Sequence, residues 1–481
     1  MTIRGDYYME TTNKAMSETD IQLEYIRKCA DFFQNEYPGK PLFRIQNEGC
    51  QMNSLQTETV AGMALEMGLT ETGREDEASV VIYNTCTVRE NANQKIYGHL
   101  GHLKSIKRMH PDMKIVLFGC MMQEQHVVEK IRKDYPFVDL VFGTHNIHKF
   151  PELFYRSLTS GGQIIDIWKD SSEIVEGLPT ARKYAFKTGV NIMFGCNNFC
   201  SYCIVPYVRG REKSREPQAI LREIEELAEN GVSEIMLLGQ NVNSYGKTLD
   251  TPVTFAQLLR EAEKIEGIRR IRFMTSHPKD LSDELIAVMA ESRKICHHLH
   301  LPMQSGSSRI LQRMNRRYDK EKYLGLVRKI RTAIPDISLT SDIIVGFPGE
   351  TEEDFLETLD VVEKSDFDTA FTFIYSKRTG TPAAGMEDQV SPEVIKDRFD
   401  RLLALVQQKG RENSSRFAGT VQEVLVEEEN REKGILTGRT QHNLLVHFPG
   451  DPSLIGSYIP VHLDTCKGFY YFGTIAGQKE D

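Results

Sequence analysis

Six of the nine cysteines have the types of spacing that can do chemistry, and they fall into two sets of three. Cys196, Cys200 and Cys203 stand as C-x3-C-x2-C in CNNFCSYC, a loop that begins just after a strand-like run. Three thiolates on one loop can bind three irons of a [4Fe–4S] cluster and leave the fourth iron open to a chelating ligand. A structural zinc site is the competing reading, but zinc wants a fourth protein ligand and paired C-x2-C knuckles, and the sequence has no such pair. Cys50, Cys86 and Cys120 each end an apolar run, in LFRIQNEGC, SVVIYNTC and MKIVLFGC. Singly, each reads as a buried apolar residue. Their equivalent places in three successive units argue for a second triad, again with one iron free. Cys29, Cys296 and Cys466 are assigned to packing.

The elements that must position these residues follow from the pattern of apolar runs. Residues 1–40 carry Ile21, Leu23, Tyr25, Ile26, Cys29, Phe32 and Phe33 at helical spacing and are expected to form a helical arm. In residues 41–158 each Cys-terminated strand is followed by a helix-compatible segment, which predicts a parallel α/β sheet. Such sheets place ligand sites outside the carboxyl ends of their strands, so Cys50, Cys86 and Cys120 should meet there. Residues 159–181, TSGGQIIDIWKDSSEIVEGLPTA, are rich in Ser, Gly, Thr and Asp and read as a linker. In residues 182–414 six strand-like runs alternate with polar helices, which predicts an incomplete (βα)6 barrel related to TIM barrels. Its unusual loops, CNNFCSYC, GQN, SHP, MQSGSS and GFPGE, follow the strands. Residues 415–479 read as five short strands of a small all-β barrel. The chain is thus an α/β multidomain protein.

At 481 residues the length suits two to four domains. An odd count of cysteines in a long chain of ordinary composition does not make a disulfide framework, and reduced thiols holding metal fit better. No apolar run approaches the roughly 18 residues of a membrane span, and the polar, acid-containing start lacks a signal peptide's pattern. A cytoplasmic protein without a membrane partner is expected. The net charge of −9 disfavours a nucleic-acid partner overall, so any RNA site must be a local basic patch.

Longer motifs resemble one family. GCQMNSLQTE, NTCTVRENANQKIYGHL and VDLVFGTHNIHKFPEL are similar to the N-terminal domain of the radical S-adenosylmethionine (SAM) methylthiotransferases. CNNFCSYCIVPYVRGREKSR resembles their radical SAM signature, and LTGRTQHNLLVHFPG their C-terminal TRAM domain. The wording is closest to the MiaB-type tRNA enzymes. The resemblance implies two [4Fe–4S] clusters and two SAM molecules per turnover. The cluster on Cys196, Cys200 and Cys203 chelates SAM and releases a 5′-deoxyadenosyl radical, while the auxiliary cluster on Cys50, Cys86 and Cys120 holds the sulfur. All six cysteines are then catalytic as well as metal ligands. The implied reaction adds a 2-methylthio group to C2 of N6-dimethylallyl(isopentenyl)adenosine next to the anticodon (position 37) of tRNA. An apolar subpocket must then read the isopentenyl tail.

By place after the strands, the resemblance assigns SAM binding to Gln240, Asn241, Ser276, His277, His300, Gln304, Asp342 and Gly346; each also reads as a plain loop-capping residue. Arg209, Arg211, Lys213 and Arg215 follow the cluster loop and are assigned to the tRNA backbone. Arg309, Arg313, Arg316 and Arg317 form a second basic cluster, and Arg416, Lys433, Arg439 and Asn443 a third surface. Implied partners are tRNA carrying N6-isopentenyladenosine, an external electron donor and an iron–sulfur cluster assembly or carrier protein, with the chain a monomer. Two alternatives keep the chemistry and change the substrate, to threonylcarbamoyladenosine of tRNA or to a ribosomal-protein aspartate. A third is a non-catalytic RNA-binding protein with structural metal.

Overall fold

The computed structural model describes residues 16–37, 39–88, 90–171, 173–431 and 434–477. Residues 1–15 of the expected arm and Lys433 lie outside the described residues. The chain divides into two compact units, Met1–Ala181 and Arg182–Asp481.

In the first unit β1 (Leu42–Asn47), β2 (Thr70–Glu71), β3 (Val80–Thr85), β4 (Lys114–Gly119), β5 (Leu140–Phe142) and β6 (Ile164–Asp166) form one parallel sheet, ordered β2-β1-β3-β4-β5-β6. Both faces are covered, which is why its central strands read as continuous apolar runs. Val80, Ile82, Val116 and Phe118 pack on one side with Ile26, Cys29 and Phe33 of the helix Glu18–Asn35. Val81, Tyr83, Ile115 and Leu117 pack on the other with Ile96, Leu100 and Leu103 of the helix Glu90–Met109. The arm helix begins with a capping box in which Ser17 and Asp20 satisfy each other's backbone amides. Residues 159–181 are not wholly a linker: Ile164–Asp166 (IID) add the sheet's sixth strand, a three-residue run too short to show a period.

In the second unit β7 (Lys187–Asn191), β10 (Glu234–Leu238) and β11 (Arg270–Phe273) form one three-stranded parallel sheet, and β12 (His298–His300), β13 (Ser338–Val345) and β14 (Thr369–Ile374) another. The single bridge Ile271↔Ile295 links them, giving a six-strand partial barrel. A short hairpin, β8 (Met193–Phe194) with β9 (Lys213–Ser214), brackets the CNNFCSYC loop. Helices cover the outside through apolar stripes such as Ile220, Ile224 and Leu227. The long helix Pro392–Ser414 leads to a closed barrel of β15 (Val421–Glu429), β16 (Ile435–Thr440), β17 (Leu445–Pro449), β18 (Tyr458–Cys466) and β19 (Tyr470–Ile475).

Two buried arginines of β11 seat that barrel. Arg270 donates to the carbonyls of Arg439 (2.9 Å) and Glu423 (2.7 Å), and Arg272 to those of Thr440 (2.7 Å) and Gln441 (3.2 Å). Both guanidiniums stand beside buried Glu234, 3.1 Å from Arg272 Nε. Asp336 adds a further tie, bridging His297 (2.8 Å) to His442 (3.0 Å).

Candidate functional site

Cys50, Cys86 and Cys120 follow β1, β3 and β4, three adjacent strands. Cys50 caps the helix Gln51–Glu66, Cys86 leaves β3 directly, and Cys120 opens a 3-10 turn after Gly119. Gly119 must be glycine: its φ is +107°, and a Cβ there would lie 2.5 Å from the Thr85 carbonyl oxygen. One buried amide links the three strand ends. Asn53 donates from Nδ2 to Asn84 Oδ1 and to the Thr85 carbonyl, both at 3.0 Å, and its Oδ1 stands 3.5 Å from Cys50 Sγ and 3.9 Å from Cys120 Sγ. Asn53 was not singled out from sequence; its only signal is a polar residue one helical turn after Cys50.

In the second unit the C-x3-C-x2-C loop leaves Gly195, whose φ is +71° and whose added Cβ would meet the Arg211 carbonyl at 2.0 Å. The loop is held from outside. Ser201 donates its amide to Met314 O (3.0 Å) and its hydroxyl to Arg313 O (2.8 Å), and Asn315 Nδ2 donates to the carbonyls of Asn198 and Phe199. Arg316, read from sequence as part of a basic surface, is instead buried beneath the loop. Its guanidinium donates to Cys200 Sγ (3.5 Å), Pro302 O (3.0 Å) and Tyr318 Oη (3.0 Å). Burial pushes the Cys196 thiol up to about 11 and the Cys203 thiol to about 12, so both stay protonated until a metal displaces the proton.

Among the described residues the one set of three His, Cys, Asp or Glu donors within 4.8 Å of one another is His297, Asp336 and His442. Cys50, Cys86 and Cys120, and Cys196, Cys200 and Cys203, are two sets of three free soft donors, the donor chemistry that suits an iron–sulfur cluster.

The other positions assigned from sequence lie around the carboxyl ends of the barrel strands. Gln240 and Asn241 follow β10, and Ser276 and His277 follow β11; Asn241 Oδ1 and Ser276 Oγ are buried without a protein partner, which suits a polar ligand. Asn241 Nδ2 is held by Asp280 at 2.8 Å. Burial, reinforced by Arg316 and Lys279, holds His277 down at about 2, and its Nδ1 accepts from the Lys279 amide at 3.1 Å. His300 Nδ1 pairs with Thr340 Oγ1 (3.0 Å) and its Nε2 lies 3.4 Å from Asp342 Oδ2. Gln304 is buried with φ +64° and bridges to Ile343. Gly346, φ +74°, gives its amide to Glu350 Oε1 at 3.1 Å.

Residues 190–362 match the radical SAM superfamily, 43–143 the uncharacterized protein family UPF0004 and 415–476 the TRAM domain. A tRNA-2-methylthio-N(6)-dimethylallyladenosine synthase of Lachnoclostridium phytofermentans is 60% identical over 93% of this chain and 97% of its own length. The chain belongs to the tRNA-2-methylthio-N(6)-dimethylallyladenosine synthase family. Synthases of Acetivibrio thermocellus (55% identical, 91% of each chain) and Clostridioides difficile (49%, covering 96% of this chain and 97% of theirs) agree. Among solved structures, the radical SAM methyltransferase TsrM of Kitasatospora setae with cobalamin and a [4Fe–4S] cluster bound has a TM-score of 0.52 at 15% identity, covering 72% of this chain and 77% of its own. The cobalamin-dependent radical SAM enzyme OxsB, with aqua-cobalamin and SAM bound, has a TM-score of 0.50 at 12% identity, covering 78% and 57%. These two share the fold.

In this chain the arginines assigned to tRNA do not stand alike. Arg209 and Arg215 are buried, and Arg215 pairs with Asn191 O (2.6 Å) and Glu223 (2.7 Å). Arg211 is exposed and stacks over Phe199 at 4.4 Å, and Lys213 is half-buried in β9. Arg309 and Arg313 pair with Asp354 and Asp388, while Arg317 is exposed. Arg416 pairs with Asp368 (2.9 Å), and Arg439 donates to Asn443 O (3.2 Å). Cys29 and Cys296 are buried and Cys466 packs beside the terminal barrel's core. No helix among the described residues is long and apolar enough to cross a membrane.

Proposed function

We propose that this chain adds a methylthio group to C2 of N6-dimethylallyladenosine next to the anticodon of tRNA. The observation that carries this is identity of 60% along 97% of a synthase so named. The proposal takes residues 41–158 as the auxiliary-cluster domain and 182–414 as the radical SAM domain. The arm, the linker and a TRAM domain at 415–479 complete the division.

When bound, a [4Fe–4S] cluster with SAM on its open iron supplies a 5′-deoxyadenosyl radical, and a second [4Fe–4S] cluster supplies sulfur. The work of the residues is to hold and exclude. Cys196, Cys200 and Cys203 hold the first group and Cys50, Cys86 and Cys120 the second. The Asn241 and Ser276 oxygens are free to accept from a polar ligand, and His300 and Asp342 offer a second polar edge at the next strands. His277, held neutral, does not repel the cationic SAM sulfonium. Gln240, Gln304 and Gly346 complete the SAM contacts. Of the first basic cluster Arg211 is the exposed member that can meet phosphate, with Lys213 half-buried beside it and Arg439 on the terminal barrel. An external electron donor, a cluster carrier, a monomeric state and a cytoplasmic location complete the proposal.

The test is anaerobic reconstitution followed by reductant, SAM and an anticodon stem-loop carrying either N6-dimethylallyladenosine or plain adenosine. Methylthio product on the first and little on the second is expected. Absence of product overturns the enzyme reading, and preference for a threonylcarbamoyl RNA or a ribosomal-protein peptide overturns the substrate.

A further inference from the structure

β14 is the edge strand of the sheet β12-β13-β14; on one face Ala370 is buried, though Ile374 farther along it is exposed. Ala370 turns outward into the core with Ile343, Val345, Leu402 and Val406. Residues on the opposite face alternate with it, as strand geometry requires, and they are Phe371 and Phe373. These rings are 52% and 49% exposed. Register places Phe371 beside Asp342 and Phe373 beside Ile344 on the neighbouring strand, and the His300 ring lies 6.1 Å from that of Phe371. The two phenyl rings therefore stand on the barrel's inner face, one step from the polar pair His300 and Asp342. Above them the apolar surface continues through Ile344 and Tyr375 to Phe347 (5.4 Å between rings) and on to Tyr202, between Cys200 and Cys203.

Two rings left half open side by side on the barrel's inner face, beside His300 and Asp342, form an apolar wall of the kind that lines ligand pockets. Resting on the function proposed above, we infer that Phe371 and Phe373 are the wall against which the five-carbon N6 tail of the substrate nucleoside packs. They set the preference for dimethylallylated over plain adenosine. A branched apolar tail suits this surface: rings on one strand two residues apart offer adjacent flat faces and ask for no hydrogen bond.

The assay uses the full-length reconstituted protein and two stem-loop RNAs that differ only in the tail. For Phe371→Ala and Phe373→Ala the KM for the dimethylallylated RNA should rise about 10-fold or more. The ratio of kcat/KM between tailed and plain RNA should fall by the same factor, within the range that one or two lost apolar contacts give. Phe371→Leu should recover part of the loss, since it keeps apolar volume. An unchanged ratio in both alanine variants overturns the inference, and so does a rise confined to the KM for SAM, which would give the rings to that ligand. Should the alanine variants fail to fold, wild type on RNAs with N6-methyl, N6-propyl and N6-dimethylallyl groups decides: a kcat/KM that does not climb with the tail overturns it. No product from wild type on any tailed RNA would instead refute the function itself.

Discussion

Replacing Arg316 by leucine should loosen the cluster loop at its base. The guanidinium is buried and donates to Pro302 O and Tyr318 Oη at 3.0 Å each and to Cys200 Sγ at 3.5 Å. A hydrogen bond from a charged donor is worth about 1.5–3 kcal/mol, and a stranded buried carbonyl costs about 1–3 kcal/mol. Against this, leucine escapes the desolvation that a buried cation suffers, so the net loss of fold stability should be about 2–4 kcal/mol. The metal adds a second effect. A cation 3.5 Å from one thiolate charge gains about 4–5 kcal/mol at an effective dielectric of about 20, and spreading that charge over a cluster leaves roughly 2 kcal/mol. That corresponds to about 30-fold faster loss of iron from the Cys196, Cys200 and Cys203 site. The assay is chelator-driven iron release followed by absorbance and electron paramagnetic resonance, alongside chemical denaturation. Arg316→Lys should retain more iron than Arg316→Leu, because the charge survives. Equal iron release and equal stability in wild type and Arg316→Leu would refute the reasoning.

Replacing any of Cys50, Cys86 or Cys120 by alanine should abolish methylthio transfer while 5′-deoxyadenosine still forms from SAM, and Cys196→Ala should stop the latter; zinc rather than iron at either triad in elemental analysis would defeat the assignment. Asn53→Leu leaves the Thr85 carbonyl without its side-chain donor, at about 1–3 kcal/mol, and should deplete the auxiliary iron signal when measured in a Cys196→Ala background; full retention there would remove Asn53 from the site. His277 is neutral in the fold, with its pKa at about 2 against about 6.5 unfolded, so the unfolded chain binds the extra proton and stability falls as pH drops below 6.5. The limiting slope is about 1.4 kcal/mol per pH unit. His277→Asn should flatten the acid limb of a denaturation series, and parallel limbs would count against it.

The strand ends carrying Cys50, Cys86 and Cys120 were legible because each apolar run stops on its cysteine and a parallel sheet brings such ends to one edge. The order of the first sheet was not, since β6 is only three residues of IID inside a Gly- and Ser-rich stretch. Charge misled in a specific way. Arg316 and Arg215 stand in basic runs that read as open surface, yet one reaches Cys200 and the other Asn191 and Glu223, partners made adjacent only by the barrel's closure. The sixth strand-like run of the second unit, Thr369–Ile374, did not show which of its residues would stay open, because that depends on its place at the edge of a sheet. Asn53 escaped for a similar reason: its partners Asn84 and Thr85 are neighbours in the sheet and distant in sequence.

The grip of Arg270 and Arg272 on the terminal barrel falls on peptide oxygens of Glu423, Arg439, Thr440 and Gln441. Every amino acid presents the same carbonyl, so this part of the seat reads backbone shape, while the Glu423 carboxylate (3.2 Å from Arg270) and His442, held by Asp336, add ties that depend on the side chain. Surface residues of the terminal barrel outside Glu423 and His442 can therefore change without breaking these bonds to β11 and Asp336.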